Sequence, residues 1–181
     1  MNNYIQIYKN VIDDEYCDEL ISKFEIESNK ETYDQGPMSF TQVNLNKNKW
    51  QSDIERLSKV FSNSLEQYKR DCVITEQMWP KRYTFEEIRL KKYLPNNKDR
   101  FDPHVDSINI ESAKRFLVFF IYLDDNKKGE TNFTQLGLAS PCKKGSLLMF
   151  PPLWPWLHQG MKPIDKPKYM IGSYLHYTLD N

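Results

Sequence analysis

Nine successive residues, Arg115-Phe116-Leu117-Val118-Phe119-Phe120-Ile121-Tyr122-Leu123, are apolar almost throughout. The run is short for a helix and reads as a β-strand covered on both faces, because a strand with one wet face would alternate with polar residues. A doubly covered strand needs a layer on either side, and the rest of the chain supplies candidates. From Thr84 onward the pattern is one of strands and turns. Segments near 85–94, 101–107, 115–123, 131–135, 145–150, 155–162 and 168–178 are separated by Asn96-Asn97, Asp124-Asp125-Asn126, Gly137, Pro141 and Pro163, each a turn signal. Two helical stripes come first. Asp13-Asp14-Glu15 puts negative charge where a helix N-terminus favours it, and Cys17, Leu20, Ile21 and Phe24 recur at helical spacing, predicting a helix over 13–27. Ser52-Asp53-Ile54-Glu55 matches a capping box and leads into the stripe Ile54, Leu57, Phe61, Leu65, Tyr68. Short strands are expected at 4–8 and, after the breaker Gly36-Pro37, at 39–43. The class is α+β, mainly β: a sandwich or barrel with two N-terminal helices packed outside it.

The 181 residues fit one domain, with helical support over 1–80 and a β core over about 84–178. Lys plus Arg and Asp plus Glu both number 25, so no net field favours nucleic acid or an anionic membrane. The first residues lack a charged segment followed by an apolar run, and no stretch reaches the ~20 apolar residues of a membrane span. A soluble cytoplasmic protein is expected. Cys17, Cys72 and Cys142 are odd in number and far apart, which fits small reduced side chains better than a zinc site or a disulfide framework.

The chemistry concentrates in Phe101-Asp102-Pro103-His104-Val105-Asp106 and Trp156-Leu157-His158. On a strand, His104 and Asp106 project from one face. Alone, such a pair is as often structural as functional. A second imidazole, His158, arriving from a later strand would complete two histidines and a carboxylate, a set that occupies one face of an octahedral metal and leaves positions open, as non-haem Fe(II) oxygenases require. Alternation along the last strand puts Lys168, Met170, Gly172 and Tyr174 on one face. If that face is the interior, the Lys168 ammonium is costly to bury unless an anion meets it, and Gly172 would leave room beside it. The competing reading is a strand-end lysine reaching solvent.

These residues, taken in order, resemble the Fe(II)/2-oxoglutarate-dependent dioxygenases, and within them the prolyl 4-hydroxylase-like branch. His104-x-Asp106, then His158, then Lys168 ten residues on, carry the likeness. Tyr93 stands 11 residues before the first histidine, Tyr122-Leu123-Asp124 closes the apolar strand, and Gly129-Glu130-Thr131-Asn132-Phe133 looks like the family's Gly-Gly-x-Thr-x-Phe segment. Lys144-Gly145-Ser146-Leu147-Leu148-Met149-Phe150 resembles its Gly-x-x-x-x-Phe strand. In general look the chain is also similar to small members of this branch encoded by marine phages, which would place it in a host cytoplasm. The resemblance implies a double-stranded β-helix, also called a cupin-like jelly roll. It implies Fe(II) held by His104, Asp106 and His158, with 2-oxoglutarate and O₂ as co-substrates and ascorbate as a candidate reductant. Lys168 would pair with the distal carboxylate of 2-oxoglutarate, and Tyr93, Tyr122 and Thr131 would line its pocket. Arg115 and Tyr174 match positions facing a peptide substrate. The implied reaction is hydroxylation of a C–H bond, foremost in a prolyl residue of a peptide or protein, with release of succinate and CO₂. Two residues depart from the pattern: Lys128 stands where the first glycine of the pair is usual, and Phe101 replaces a tyrosine.

Other readings keep the same residues. The acceptor could be a free amino acid or a nucleobase, although charge neutrality weighs against nucleic acid. A non-catalytic cupin-like binding module would lack a metal ligand, and none is missing. Zinc could fill the same three ligands for hydrolysis, which gives no reason for Lys168. His176 shares the parity of Lys168 but lies roughly 26 Å along an extended strand from it. Pro151-Pro152-Leu153-Trp154-Pro155-Trp156 is expected to be a stiff loop packing its indoles on the core, with a substrate wall as the alternative, and 96–100 a solvated turn lying where a lid over the site would sit.

Overall fold

A computed structural model describes residues 4–47 and 49–178. In chain order the elements are β1 (Gln6–Tyr8), α1 (Asp14–Ile26), β2 (Glu31–Asp34), β3 (Met38–Asn44), α2 (Gln51–Asp71), β4 (Tyr83–Phe85), β5 (Arg89–Tyr93), β6 (Arg100–His104), β7 (Arg115–Tyr122), β8 (Asn126–Phe133), β9 (Leu138–Cys142), β10 (Leu147–Phe150), β11 (His158–Gly160) and β12 (Lys168–Tyr177). All strands pair antiparallel in one sheet, ordered β1-β10-β7-β12-β5-β3-β6-β11-β8-β9, with β2 beside β3 and β4 beside β12. The sheet curls on itself into the jelly roll expected from the sequence, a nearly closed double-stranded β-helix. No helix among the described residues is long and apolar enough to cross a membrane.

The run 115–123 is covered on both faces, as its composition requires. Its alternate residues feed two separate cores. Leu117, Phe119 and Ile121 join Leu20 and Phe24 of α1, and Leu57, Phe61 and Leu65 of α2, in the outer core. Val118, Phe120 and Tyr122 join Phe40, Tyr93, Phe133, Phe150 and Met170 in the inner core. Phe61 meets Phe119 at a ring-centroid distance of 5.1 Å, so the second helical stripe lies directly on the central strand. Each such side chain removed from water contributes about 1.5–3 kcal/mol, which is why the helices lie against this face.

Helix α1 follows its sequence signal: the side chain of Asp13 caps it by accepting from the Tyr16 N–H at 2.7 Å. Helix α2 does not. It starts at Gln51 after Trp50, no side chain bonds at the cap, and Ser52 lies inside the first turn, so the expected capping box is absent. Two contacts account for the earlier start. Buried Trp50 is fixed by its indole N–H, which donates to Glu27 at 3.1 Å. Asp53 turns inward, accepting from the Tyr16 hydroxyl at 3.1 Å and from Lys23 Nζ at 2.7 Å. Three further boundaries differ from the sequence reading. Pro141 lies within β9 instead of in a turn. That strand ends the sheet, where a missing N–H costs nothing. Asn126, assigned to a turn, opens β8. Strand β6 stops at His104, so Asp106 comes from the bend that follows it.

Candidate metal centre and adjoining cleft

The site forms where β6 and β11 run side by side. His104 is directly opposite His158 in their register, which brings two imidazoles from distant parts of the chain to one point, and Asp106 reaches the same point from the bend. One ligand atom from each of the three lies within 4.8 Å of the others. Backbone carbonyls set the ring orientations. Nδ1 of His104 lies 2.7 Å from the Asp102 carbonyl, and Nδ1 of His158 lies 3.0 Å from that of Trp156. With Nδ1–H donating, each Nε2 carries a lone pair aimed inward. Phe101 stacks flat on His104, with centroids 3.5 Å apart and planes 13° from parallel. The departure from tyrosine at 101 thus leaves a ring that fixes the histidine.

The Asp106 carboxylate is divided between two tasks. Oδ1 accepts from the Tyr174 hydroxyl at 2.9 Å, while Oδ2 is buried with no hydrogen-bond partner and lies 3.4 Å from His158 Nε2. His158 Nε2 is likewise buried and unpartnered. Buried polar atoms without partners are costly, and a cation shared by these ligands would satisfy them together. Protonation agrees with that role. Burial pushes the His158 imidazole down to about 4. Burial also pushes Asp106 up, but the hydrogen bond and charge of His104, the charge of His158 and the Tyr174 hydroxyl outweigh it and hold the carboxyl at about 2. Near neutrality His158 is therefore a neutral imidazole and Asp106 a carboxylate, the forms that bind a divalent metal. Two histidines and one carboxylate with open positions suit Fe(II).

Beside the centre is a small inner chamber of about 20 Å³, lined by Tyr93, Thr131, Gly160, Lys168 and Met170 together with the ligands. Lys168 enters it from the start of β12 and is 1% exposed. Its ammonium lies 5.3 Å from the Tyr93 ring and 5.5 Å from that of Tyr122, and among the described residues no carboxylate forms an ion pair with it. Burial pushes its pKa down. The solvent-reaching alternative for Lys168 is thereby ruled out. Tyr122 stands behind the lining, donating its hydroxyl hydrogen to Thr131 at 2.7 Å, so the Thr131 hydroxyl is the group presented to the chamber.

The chamber opens into a cleft of about 790 Å³. Arg115 and Tyr174 both line it, but each already has a partner. Arg115 forms a two-pronged pair with Glu86 at 2.8 and 2.9 Å and lies over the Tyr174 ring at 4.1 Å. Tyr174 holds Asp106, as above. The space expected beside Gly172 is taken by Phe120, whose ring would be 3.3 Å from an added Cβ. His176 lies near Glu86, outside the metal-ligand group. Of the two indoles in the 151–156 loop, Trp156 packs edge-on against Tyr4 at 6.2 Å, whereas Trp154 is exposed and does not pack on the core as expected. Lys128 takes the left-handed φ of +63° in β8 where the register shifts, which gives the backbone reason a glycine would suit that position. Sequence reasoning missed Glu86 and Lys91. Lys91 shares strand parity with Tyr93, a signal that was available; the pairing of Glu86 with Arg115 spans 29 residues and left no local trace.

No sequence-family model and no curated protein matches the chain. Solved structures do. The 2-oxoglutarate complex of a viral collagen prolyl hydroxylase from Paramecium bursaria Chlorella virus-1 aligns with a TM-score of 0.74 at 19% identity, covering 97% of each chain. A prolyl hydroxylase from Trichoplax adhaerens, in complex with a hypoxia inducible factor peptide fragment, gives 0.74 at 12% identity over 97% of this chain and 84% of that one. A Pseudomonas putida prolyl-4-hydroxylase gives 0.67 at 9% identity, covering 97% and 93%. The chain has the double-stranded β-helix fold of these prolyl hydroxylase structures, with a His-Asp-His cluster set inside it.

Proposed function

We propose that the protein is an Fe(II)- and 2-oxoglutarate-dependent oxygenase that hydroxylates a C–H bond, with a prolyl residue in a peptide or protein as its substrate. The observation that carries this reading is the buried Lys168 ammonium, unpaired among the described residues and facing the same chamber as two orphaned ligand atoms. A metal alone would explain the ligands; only an anion explains the lysine. A small dicarboxylate satisfies both, with one end at the metal and the other at Lys168. The fold likeness to prolyl hydroxylases supports the choice of substrate, although a fold by itself does not select an acceptor.

His104, Asp106 and His158 would hold Fe(II), which with 2-oxoglutarate and O₂ supplies the oxidising chemistry, succinate and CO₂ being the co-products. The chain supplies position and exclusion. Tyr174 holds one oxygen of Asp106 so that the other faces inward, and Phe101 fixes the plane of His104. Thr131 offers a hydroxyl beside Lys168, backed by Tyr122. At about 20 Å³ the chamber holds no more than a water, so a dicarboxylate enters with displacement of lining side chains. The unbranched Met170 and Lys168 are suited to that movement.

Anaerobic titration of the apo-protein with Fe(II) and then 2-oxoglutarate tests the assignment. A metal-to-ligand charge-transfer band in the visible region is expected, followed on admission of O₂ by succinate release and a mass gain of about 16 Da (one oxygen atom) on a proline-containing peptide. No band and no succinate would sink the oxygenase reading. Succinate with turnover only of nucleobases would sink the prolyl one.

A further inference from the structure

Lys91 is a second cation on the chamber wall, and the reaction as proposed leaves it nothing to bind. It sits on the inner face of β5, opposite Met170 on one neighbouring strand and Gln42 on the other. Tyr93, on the same face, is opposite Lys168. Lys91 is therefore two residues, about 7 Å of strand, from the deep lysine. It is nearer the mouth: Lys168 lines only the chamber, whereas Lys91 lines both chamber and cleft. Of the other cations lining the cleft, Lys114 is exposed to solvent and the two arginines are already matched. Arg115 is held by Glu86 and Arg89 by Glu87 at 2.9 Å. Among the described residues no carboxylate forms an ion pair with Lys91; its ammonium lies 4.6 Å from the Phe40 ring. 2-Oxoglutarate brings two negative charges, and Lys168 and the metal account for both.

Given the oxygenase reading, on which this rests, we infer that Lys91 is a specificity residue that receives a carboxylate of the substrate at the junction of chamber and cleft. The substrate class is a carboxylate-bearing one: either an acidic side chain flanking the reacting residue of a peptide, or the α-carboxylate of a free amino acid. The Phe40 ring beside the ammonium and the half-buried setting strengthen such a pair relative to one in open water.

The test compares carboxylates with their amides. Peptides with a central proline flanked by Asp, Asn or Lys, and free L-proline against L-prolinamide, are offered to the wild type, Lys91→Met and Lys91→Glu. Wild type is expected to prefer the carboxylate member by about tenfold or more in kcat/KM, and Lys91→Met to reduce the preference to within about twofold. Lys91→Glu should shift it toward the Lys-flanked peptide, and in the neutral variant Lys91→Met the KM for 2-oxoglutarate should change by less than the acid-amide preference does. The arm in which the preference appears identifies the source of the carboxylate. Equal turnover of acid and amide by wild type overturns the inference, as does a preference that survives in Lys91→Met. A raised KM for 2-oxoglutarate with preference intact also overturns it, placing Lys91 on the co-substrate instead. If prolyl compounds are not turned over, the comparison is run with other free amino acids against their amides, read as substrate-stimulated succinate release. Absence of any acid-amide difference there overturns it too. Loss of the charge-transfer band itself, seen before any substrate is added, marks failure of the oxygenase reading.

Discussion

A lysine buried without a counterion destabilises the fold that contains it, and Lys168 is such a residue. Replacing it with methionine keeps the chain length and removes the charge. Apo Lys168→Met is expected to be more stable to urea than wild type by about 1–3 kcal/mol, while its KM for 2-oxoglutarate rises on the order of 100-fold and its Fe(II) affinity changes little. Equal loss of iron and co-substrate binding, or a less stable apo-protein, would mean that the lysine is structural. Tyr174 makes the opposite kind of contribution. Tyr174→Phe deletes only the hydroxyl that holds Asp106, so chelator competition should show metal affinity weakened about 10-fold with the fold intact. The candidate ligands His104, Asp106 and His158 and the inward-facing Lys168 were legible in the sequence through the order of motifs that carries the family resemblance, and for Lys168 through strand parity. Asp106 was expected on the strand and comes instead from the bend after it. The role of Tyr174 was not legible, since its partner lies 68 residues away and parity reports a face, not a contact.

Strands were easier to locate than the points at which elements begin. The capping-box pattern at Ser52–Glu55 is locally valid, but the buried contacts of Trp50 and Asp53 set the start of α2 instead. The two accounts predict opposite mutants. Ser52→Ala should alter stability by less than about 0.5 kcal/mol, because the side chain caps nothing. Asp53→Ala should cost about 2–3 kcal/mol, because Tyr16 and Lys23 lose their acceptor in a largely buried place. Thermal or urea denaturation of both variants decides; a large loss in Ser52→Ala alone would restore the capping box. The same limitation explains β2 and β9, which were not anticipated. β2 is a mostly exposed strand, and β9 carries a proline allowed only by its place at the sheet edge, so neither shows the apolar pattern that marked β7.

Sequence alone indicated a sheet with helices outside it. That the same strands serve two cores, the helix-backed layer and the chamber, bears on how the whole molecule comes apart. Leu117, Phe119 and Ile121 face the helices while Val118, Phe120 and Tyr122 face the chamber, so β7 cannot leave one core without leaving the other. Two buried thiols report on the two sides. Cys17 belongs to the outer core and Cys142 to the inner, and burial pushes each up to about 11. At pH 8 both are protonated as well as shielded, and native protein should resist a thiol reagent. With increasing urea, both should become reactive at the same concentration, as expected for one cooperative unit. Adding Fe(II) and 2-oxoglutarate under anaerobic conditions should shift both midpoints upward together, although the ligands touch only the inner side, because binding to the native state opposes every route that unfolds it. Mass-spectrometric labelling at each cysteine gives the measurement. Cys17 becoming reactive well before Cys142, or a shift confined to Cys142, would show that the helices detach while the barrel remains closed.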